Sequence, residues 1–279
     1  MKKLLLASSA LLFCGPVVAA DMPARMSVKA PVVAPVPYSW TGCYAGGHVG
    51  AGWDRTSFAD PSNPSPTNPG LIFQTIAPLG SSVGVNGGAG VLGGAQAGCD
   101  YQFANHWVVG IAGDFSWTDI HGLANDPFFG NKNGTPYRLS TRTDQLATVT
   151  GRVGYAWDHF LLYGKGGAAW AHDRYGIQNL NSVDGIGCGI GASATCNPTG
   201  SANRAGWTVG AGLEWAFAGN WSALVEYDHY GFDSKGVGFS DPNSFVAATA
   251  NLNVRQNIDV VKVGVNYRFW TPGPVVARY

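Results

Sequence analysis

The sequence predicts an all-β protein: an eight-stranded antiparallel transmembrane β-barrel with short periplasmic turns and long outer loops. Three observations predict it. Apolar and polar residues alternate with a period of two in about eight segments, from Trp40 to Phe269. Tight turns and long polar connections alternate strictly between those segments. Aromatic residues gather at the strand ends beside the tight turns, where a membrane interface would lie.

In chain order, Lys2 and Lys3 precede an apolar run from Leu4 to Val17, and Val18, Ala19 and Ala20 supply small residues before Asp21. This order of charge, apolar run and small residues makes 1–20 a secretory signal peptide. The run is too short for a spanning helix. Phe13 before Cys14 is not the small residue that a lipidated cysteine wants. Residues 21–39 form a Pro/Ala-rich periplasmic leader, extended and without ladder partners.

No later stretch approaches the ~20 apolar residues of a spanning helix. A mature chain that enters the membrane must therefore close as a barrel, which alone satisfies strand backbones in lipid. Composition agrees: 40 of 279 residues are glycine, 12% are aromatic and only 12% are charged, against about 25% charged in a soluble domain. Equal counts of 17 basic and 17 acidic residues give no electrostatic case for nucleic acid as a partner.

The barrel is expected over 40–269. Its strands begin with "WTGCYAGGHVGAGW", "GVLGGAQAGCDYQF" and "WVVGIAGDFSWTD", continue over 139–157, 160–175, 205–218 and 221–232, and end at 257–269. Tight turns fall at 104–106, 158–159 and 219–220, and long connections at 54–87, 120–138, 176–204 and 233–256. An even strand count puts both termini on the periplasmic side. Trp40, Phe103, Trp107, Trp157, Phe160, Phe217, Trp221 and Phe269 then form the interfacial girdle. In the last strand Val261, Val263, Val265, Tyr267 and Phe269 share one face. Tyr267 and Phe269 are its barrel-closing aromatic signal, and 270–279 is a short periplasmic tail stopped by Pro272 and Pro274.

Several of these elements, "GIAGDFSWTD" (110–119), "GRVGYAWDHFLLYGKGGAAW" (151–170), "AGLEWAFAGNWSALVEYDHY" (211–230) and "VVKVGVNYRF" (260–269), resemble the alphaproteobacterial outer-membrane immunogenic protein family. The resemblance runs through nearly the whole mature chain and is specific in the strands, not the loops. It implies an eight-stranded barrel in the bacterial outer membrane, exposed loops and a role as an envelope antigen. Some relatives are credited with haem binding and others with small pores. The chain departs from the family where Cys43 and Cys99 replace large aromatics, where Ala112 replaces an acidic residue, and where ten residues follow Phe269.

Alternation assigns Asp114, Asp144, Arg152, Lys165, Glu214, Glu226, Lys262 and Arg268 to the interior. Side chains fill so narrow a barrel, and charges in it must pair or suffer desolvation. They form either a plug of ion pairs or a hydrated conduit, and eight strands favour the plug. Cys188 and Cys196, in one Gly-rich loop of an oxidising compartment, are disulfide candidates. Cys43 and Cys99 are a cross-strand candidate pair on the lipid-facing side, if register allows.

The six histidines show no catalytic constellation: Asp173 and Asp228 face away from their neighbours His172 and His229. His48 looks inward, and His106 and His159 sit in turns. His121, in an outer loop with Tyr137, Phe128 and Phe129, is the one candidate haem ligand. No metal and no other cofactor are expected. The expected partners are outer-membrane lipid, the barrel-assembly machinery and host or environmental ligands at the loops, with the barrel itself a monomer. The functional expectation is a structural and surface-antigen role. The alternatives are a narrow porin for small solutes and a haem-binding surface protein.

Overall fold

The computed structural model describes residues 38–59, 82–125, 138–178, 180–181, 195–240 and 250–270. The expected signal peptide, most of the leader, the tail beyond Trp270, Phe128, Phe129, Tyr137 and Cys188 lie outside the described residues. The strands, in order, are β1 (Gly42–Ala59), β2 (Ser82–Gln102), β3 (Trp107–Asn125), β4 (Arg138–Trp157), β5 (Phe160–Gln178), β6 (Leu180–Asn181), β7 (Thr195–Cys196), β8 (Thr199–Ala218), β9 (Trp221–Phe239) and β10 (Ala250–Trp270). The eight long strands close an antiparallel barrel in which β1 pairs with β10, while β6 and β7 pair with each other between β5 and β8.

The register fixes the bore. The pairing can be followed once around, from Cys43 through Cys99, Ile111, Gly151, Gly166, Val209, His229 and Asp259. It returns to β1 at Trp53, ten residues beyond its start. Eight strands with a stagger of this size tilt by about 40° and enclose a space just wide enough for side chains.

Residue character divides cleanly between the two faces. The outer face exposes Val49, Val109, Ile111, Val149, Val153, Leu162, Val209, Leu213, Val263 and Val265, a band no water-facing surface would carry. Phe103, Trp107, Trp157, Phe160, Phe217 and Trp221 ring its turn-side edge, with Trp157, Phe160 and Trp215 stacked in series. Trp53, Trp117, Trp170 and Trp207 ring the other edge. The sequence reading had found only the first of these two girdles.

Trp40 corrects that reading. It is fully buried beneath the periplasmic mouth and faces no lipid. Gly42, at φ 139°, a backbone state that side chains disfavour, turns the chain at the first residue of β1, so that the segment before it runs inward. Trp40 then packs with Val108, Ala156, Leu161 and Ala216, and its indole N–H donates to the Asp158 carbonyl at 3.2 Å.

The strands also run further outward than alternation predicted. They are 18–21 residues long, about twice what a tilted strand needs to cross a bilayer. Beyond the upper girdle the outer face becomes polar, so alternation fades while the ladder continues. His121, expected in a loop, therefore lies on β3.

Candidate functional site

The lumen is filled in layers, and the bare wall of β1 and β2 makes room for them. A side chain at Gly94 would overlap the carbonyl oxygen of Phe115, so this wall admits only glycine there. Long side chains from other strands reach into the space it leaves.

The periplasmic layer centres on Arg152 and Arg268. Arg152 grips Asp100 with two donors, one of them Nε to Oδ1 at 2.6 Å, and reaches Glu214 at 3.3 Å. Arg268 donates to Asp100 at 3.2 Å and to the Trp40 and Gly42 carbonyls at 2.5 and 3.2 Å. Ser222 and Asn266 complete Glu214 at 2.6 and 3.0 Å. The rings of Tyr44 and Tyr163 lie 4.6 and 4.9 Å from the Arg152 guanidinium. Every charge of this layer is matched, two cations to two carboxylates, which is what burial of charge demands.

The middle layer sets two lysines among three carboxylates. Lys165 approaches Glu226, Asp228 and Asp114 at 2.6, 3.0 and 3.6 Å. Lys262 approaches Asp228, Glu226 and Asp114 at 2.7, 2.9 and 3.4 Å. Tyr163 and Thr148 donate to Glu226 and Asp114, each at 2.7 Å. His48 faces inward, bonded to Gln96 and Ser116 at 2.8 Å each. Between the two charged layers lies a cavity of about 20 Å³, bordered by Arg152, Lys165 and Glu226, room for about one water.

Above the charges comes an apolar layer of Leu92, Ile120, Leu146, Tyr230, Phe232, Ile258 and Val260, all buried. A last polar layer caps it. Arg204 donates to Tyr175 at 3.0 Å and to the carbonyls of Asp233 and Val254 at 2.6 and 2.9 Å. Asp54 accepts from Thr56 and Thr141 at 2.9 and 3.0 Å, and Asp173 from Thr143 at 2.6 Å.

Of the eight charges assigned to the interior, Asp114, Arg152, Lys165, Glu214, Glu226, Lys262 and Arg268 are placed there. Asp144 is not. A β-bulge between Thr143 and Gln145 inserts one residue into β4, which reverses the alternation beyond it. Asp144 consequently faces outward and pairs with Arg174 at 2.5 and 2.6 Å and with Arg142 at 3.2 Å.

Five further charges lie in the interior beyond the eight assigned: Asp54, Asp100, Asp173, Arg204 and Asp228. Asp100, Asp173 and Asp228 keep the inner-face parity of their strands, so alternation alone could have included them. Asp54 and Arg204 fall in stretches taken for loops.

Cys43 and Cys99 are direct cross-strand partners, 4.0 Å apart at Cα, and are joined by a disulfide. The bond ties positions 56 residues apart. Cys43→Ser is expected to lower stability by roughly 3–4 kcal/mol, by freeing that loop in the unfolded chain. A lower urea midpoint, reproduced in the native protein by reductant, checks this. The side chain of Cys196 lies outside the described residues, as does Cys188, so their pairing is not placed.

On the outer wall His172 bonds Asn203 at 2.6 Å. His229 does meet a carboxylate, though not that of its neighbour Asp228. Asp259 on the next strand takes His229 and Tyr227, each at 2.7 Å, with Arg55 at 3.6 Å. These groups satisfy a carboxylate at the outer interface. The exposed ring of His121 bonds the Asp119 carbonyl at 3.0 Å. Its expected companions Tyr137, Phe128 and Phe129 are outside the described residues.

Comparison with known proteins agrees with this architecture. The family described as outer membrane protein beta-barrel domain matches residues 26–269. The 31 kDa outer-membrane immunogenic protein of Brucella melitensis biotype 1 is 31% identical over 271 residues, covering 96% of this chain and 100% of that protein. The 25 kDa outer-membrane immunogenic protein of Brucella canis is 27% identical over 275 residues, covering 96% and 99%. Among solved structures, the outer membrane protein OprG of Pseudomonas aeruginosa aligns with a TM-score of 0.44 and 11% identity, covering 83% of this chain and 97% of that one.

Proposed function

Because the chain belongs to the outer membrane protein β-barrel family and resides in the outer membrane, we propose that it is a sealed structural barrel. It braces the envelope and carries its outer strands and loops as surface antigens. The observation that carries this reading is the filled lumen. The cavity between the two charged layers is about 20 Å³, and the apolar layer above would resist wetting even if the ion pairs loosened. The immunogenic character in the relatives' names supports exposure of the outer surface. The work assigned to the barrel is non-catalytic, because its buried acids and bases are spent on one another.

Liposome swelling tests the proposal. Vesicles carrying the refolded barrel are expected to swell in arabinose no faster than protein-free vesicles. Rapid swelling that scales with the amount of folded barrel would overturn the sealed lumen.

A further inference from the structure

We propose that the outer wall of β3, β4, β5 and β8 is a docking site for a phosphorylated glycolipid of the outer leaflet. Two stacked cavities on these strands carry the proposal. The lower, of about 320 Å³, lies at the level of the upper tryptophan girdle, with Phe115 and Trp170 as walls and Ala147 and Ala205 among its lining. Its upper edge is polar, where His172 meets Asn203 at 2.6 Å. The second cavity, of about 940 Å³, begins directly above it on the same four strands and extends to β9. Arg142, Arg174, Asp119, His121 and Ser201 line it.

The bulge that turned Asp144 outward builds the join between them. Asp144 holds Arg174 through two contacts and Arg142 through one, while Arg142 also reaches Asp119 at 3.1 Å. Both arginines remain more than half exposed. A guanidinium has five N–H donors, and these contacts engage only part of each fork. The carboxylates thus orient two forks toward the cavity. Their remaining donors, on forks suited to bidentate recognition, complement a phosphate.

Vertical order identifies the occupant. An apolar slot at the interfacial girdle, where acyl chains meet their headgroups, lies below a cavity lined by guanidinium and hydroxyl groups, which matches a lipid with a sugar-phosphate head. About 940 Å³ is at the upper end of ligand-site volumes. It accommodates a disaccharide-sized head far better than a phosphoglycerol.

Native mass spectrometry of the refolded full barrel, titrated with diphosphoryl lipid A or with phosphatidylglycerol, tests the site. The folded state of each variant is verified by its heat-modifiable gel mobility. The expected result is saturable lipid A binding that weakens about tenfold or more in Arg142→Ala/Arg174→Ala. It should weaken comparably in Ala147→Trp, which fills the slot without touching a charge. Arg55→Ala, on another part of the wall, should bind as the native protein does. Unchanged binding in both site variants would overturn the proposal, as would equal loss in Arg55→Ala. Loss in only one site variant would overturn a single amphipathic site. Phosphatidylglycerol bound as tightly as lipid A would mean a general anionic-lipid surface and would also overturn it.

Discussion

Replacing Arg152 with leucine is expected to destabilise the barrel by roughly 3–5 kcal/mol, the cost of stranding a buried charge. Asp100 would keep only Arg268, at 3.2 Å. Glu214 would keep the hydroxyl of Ser222 and the amide of Asn266, and no cation. Leucine is apolar and of a size to occupy the space between Tyr44 and Tyr163, so the loss measures charge and not a void. Neutralising Glu214 as well should reverse much of it. Arg152→Leu with Glu214→Gln is expected to regain more than half of the lost stability, because one cation and one carboxylate are then removed together and Arg268 still matches Asp100 at 3.2 Å. Urea unfolding of the lipid-reconstituted barrel gives both values. A double variant no more stable than the single one would show that Arg152 acts by packing.

Lys262→Met is expected to cost a similar amount, roughly 3–5 kcal/mol, for a different reason. The middle layer already holds three carboxylates to two lysines. Without Lys262, all three fall to Lys165, and their mutual repulsion is no longer offset. Adding Asp228→Asn restores the original surplus of one negative charge. The double variant should therefore be more stable than Lys262→Met alone, with a coupling of about 1–3 kcal/mol between the two positions. Additive losses in the urea midpoints would mean that these groups do not form one network. For comparison, Arg55, whose side chain is 61% exposed in its pair with Asp259, should contribute at most about 1 kcal/mol.

The sequence was most legible where lipid lies on one side and packed side chains on the other. Val261, Val263, Val265, Tyr267 and Phe269 alternate with Lys262, Asn266 and Arg268 because every second residue meets hydrocarbon. The strand count, the turn-side girdle and seven of the eight assigned interior charges followed from that contrast. Above the upper girdle both faces meet polar surroundings, so Arg55 and Asn203 looked like loop residues although they lie on paired strands. Asp144 was misplaced because a bulge leaves no mark on residue type, and a one-residue insertion moves every later side chain to the other face. Trp40 resembled a girdle residue in composition. Only the inward turn at Gly42, and the Arg268 guanidinium 5.3 Å from its ring, place it in the lumen. The Cys43–Cys99 pair depended on register, which sequence spacing leaves open and the β1–β2 ladder fixes.

The outer wall was the least legible part. Its two cavities arise from four strands brought together by the barrel's tilt and from the bulge in β4. Nothing in the spacing of Phe115, Ala147, Trp170 and Ala205 announces that they share one slot.

Single-channel recording in planar bilayers tests the sealed lumen most directly. Folded, detergent-purified barrel, its β-structure established by circular dichroism, is inserted under an applied potential in molar salt. The layered interior predicts a flat baseline with no stable openings, and the same silence when the potential is reversed. Reproducible unitary steps from the native protein would mean that water and ions pass Arg152, Lys165 and Lys262, and would contradict a plugged barrel.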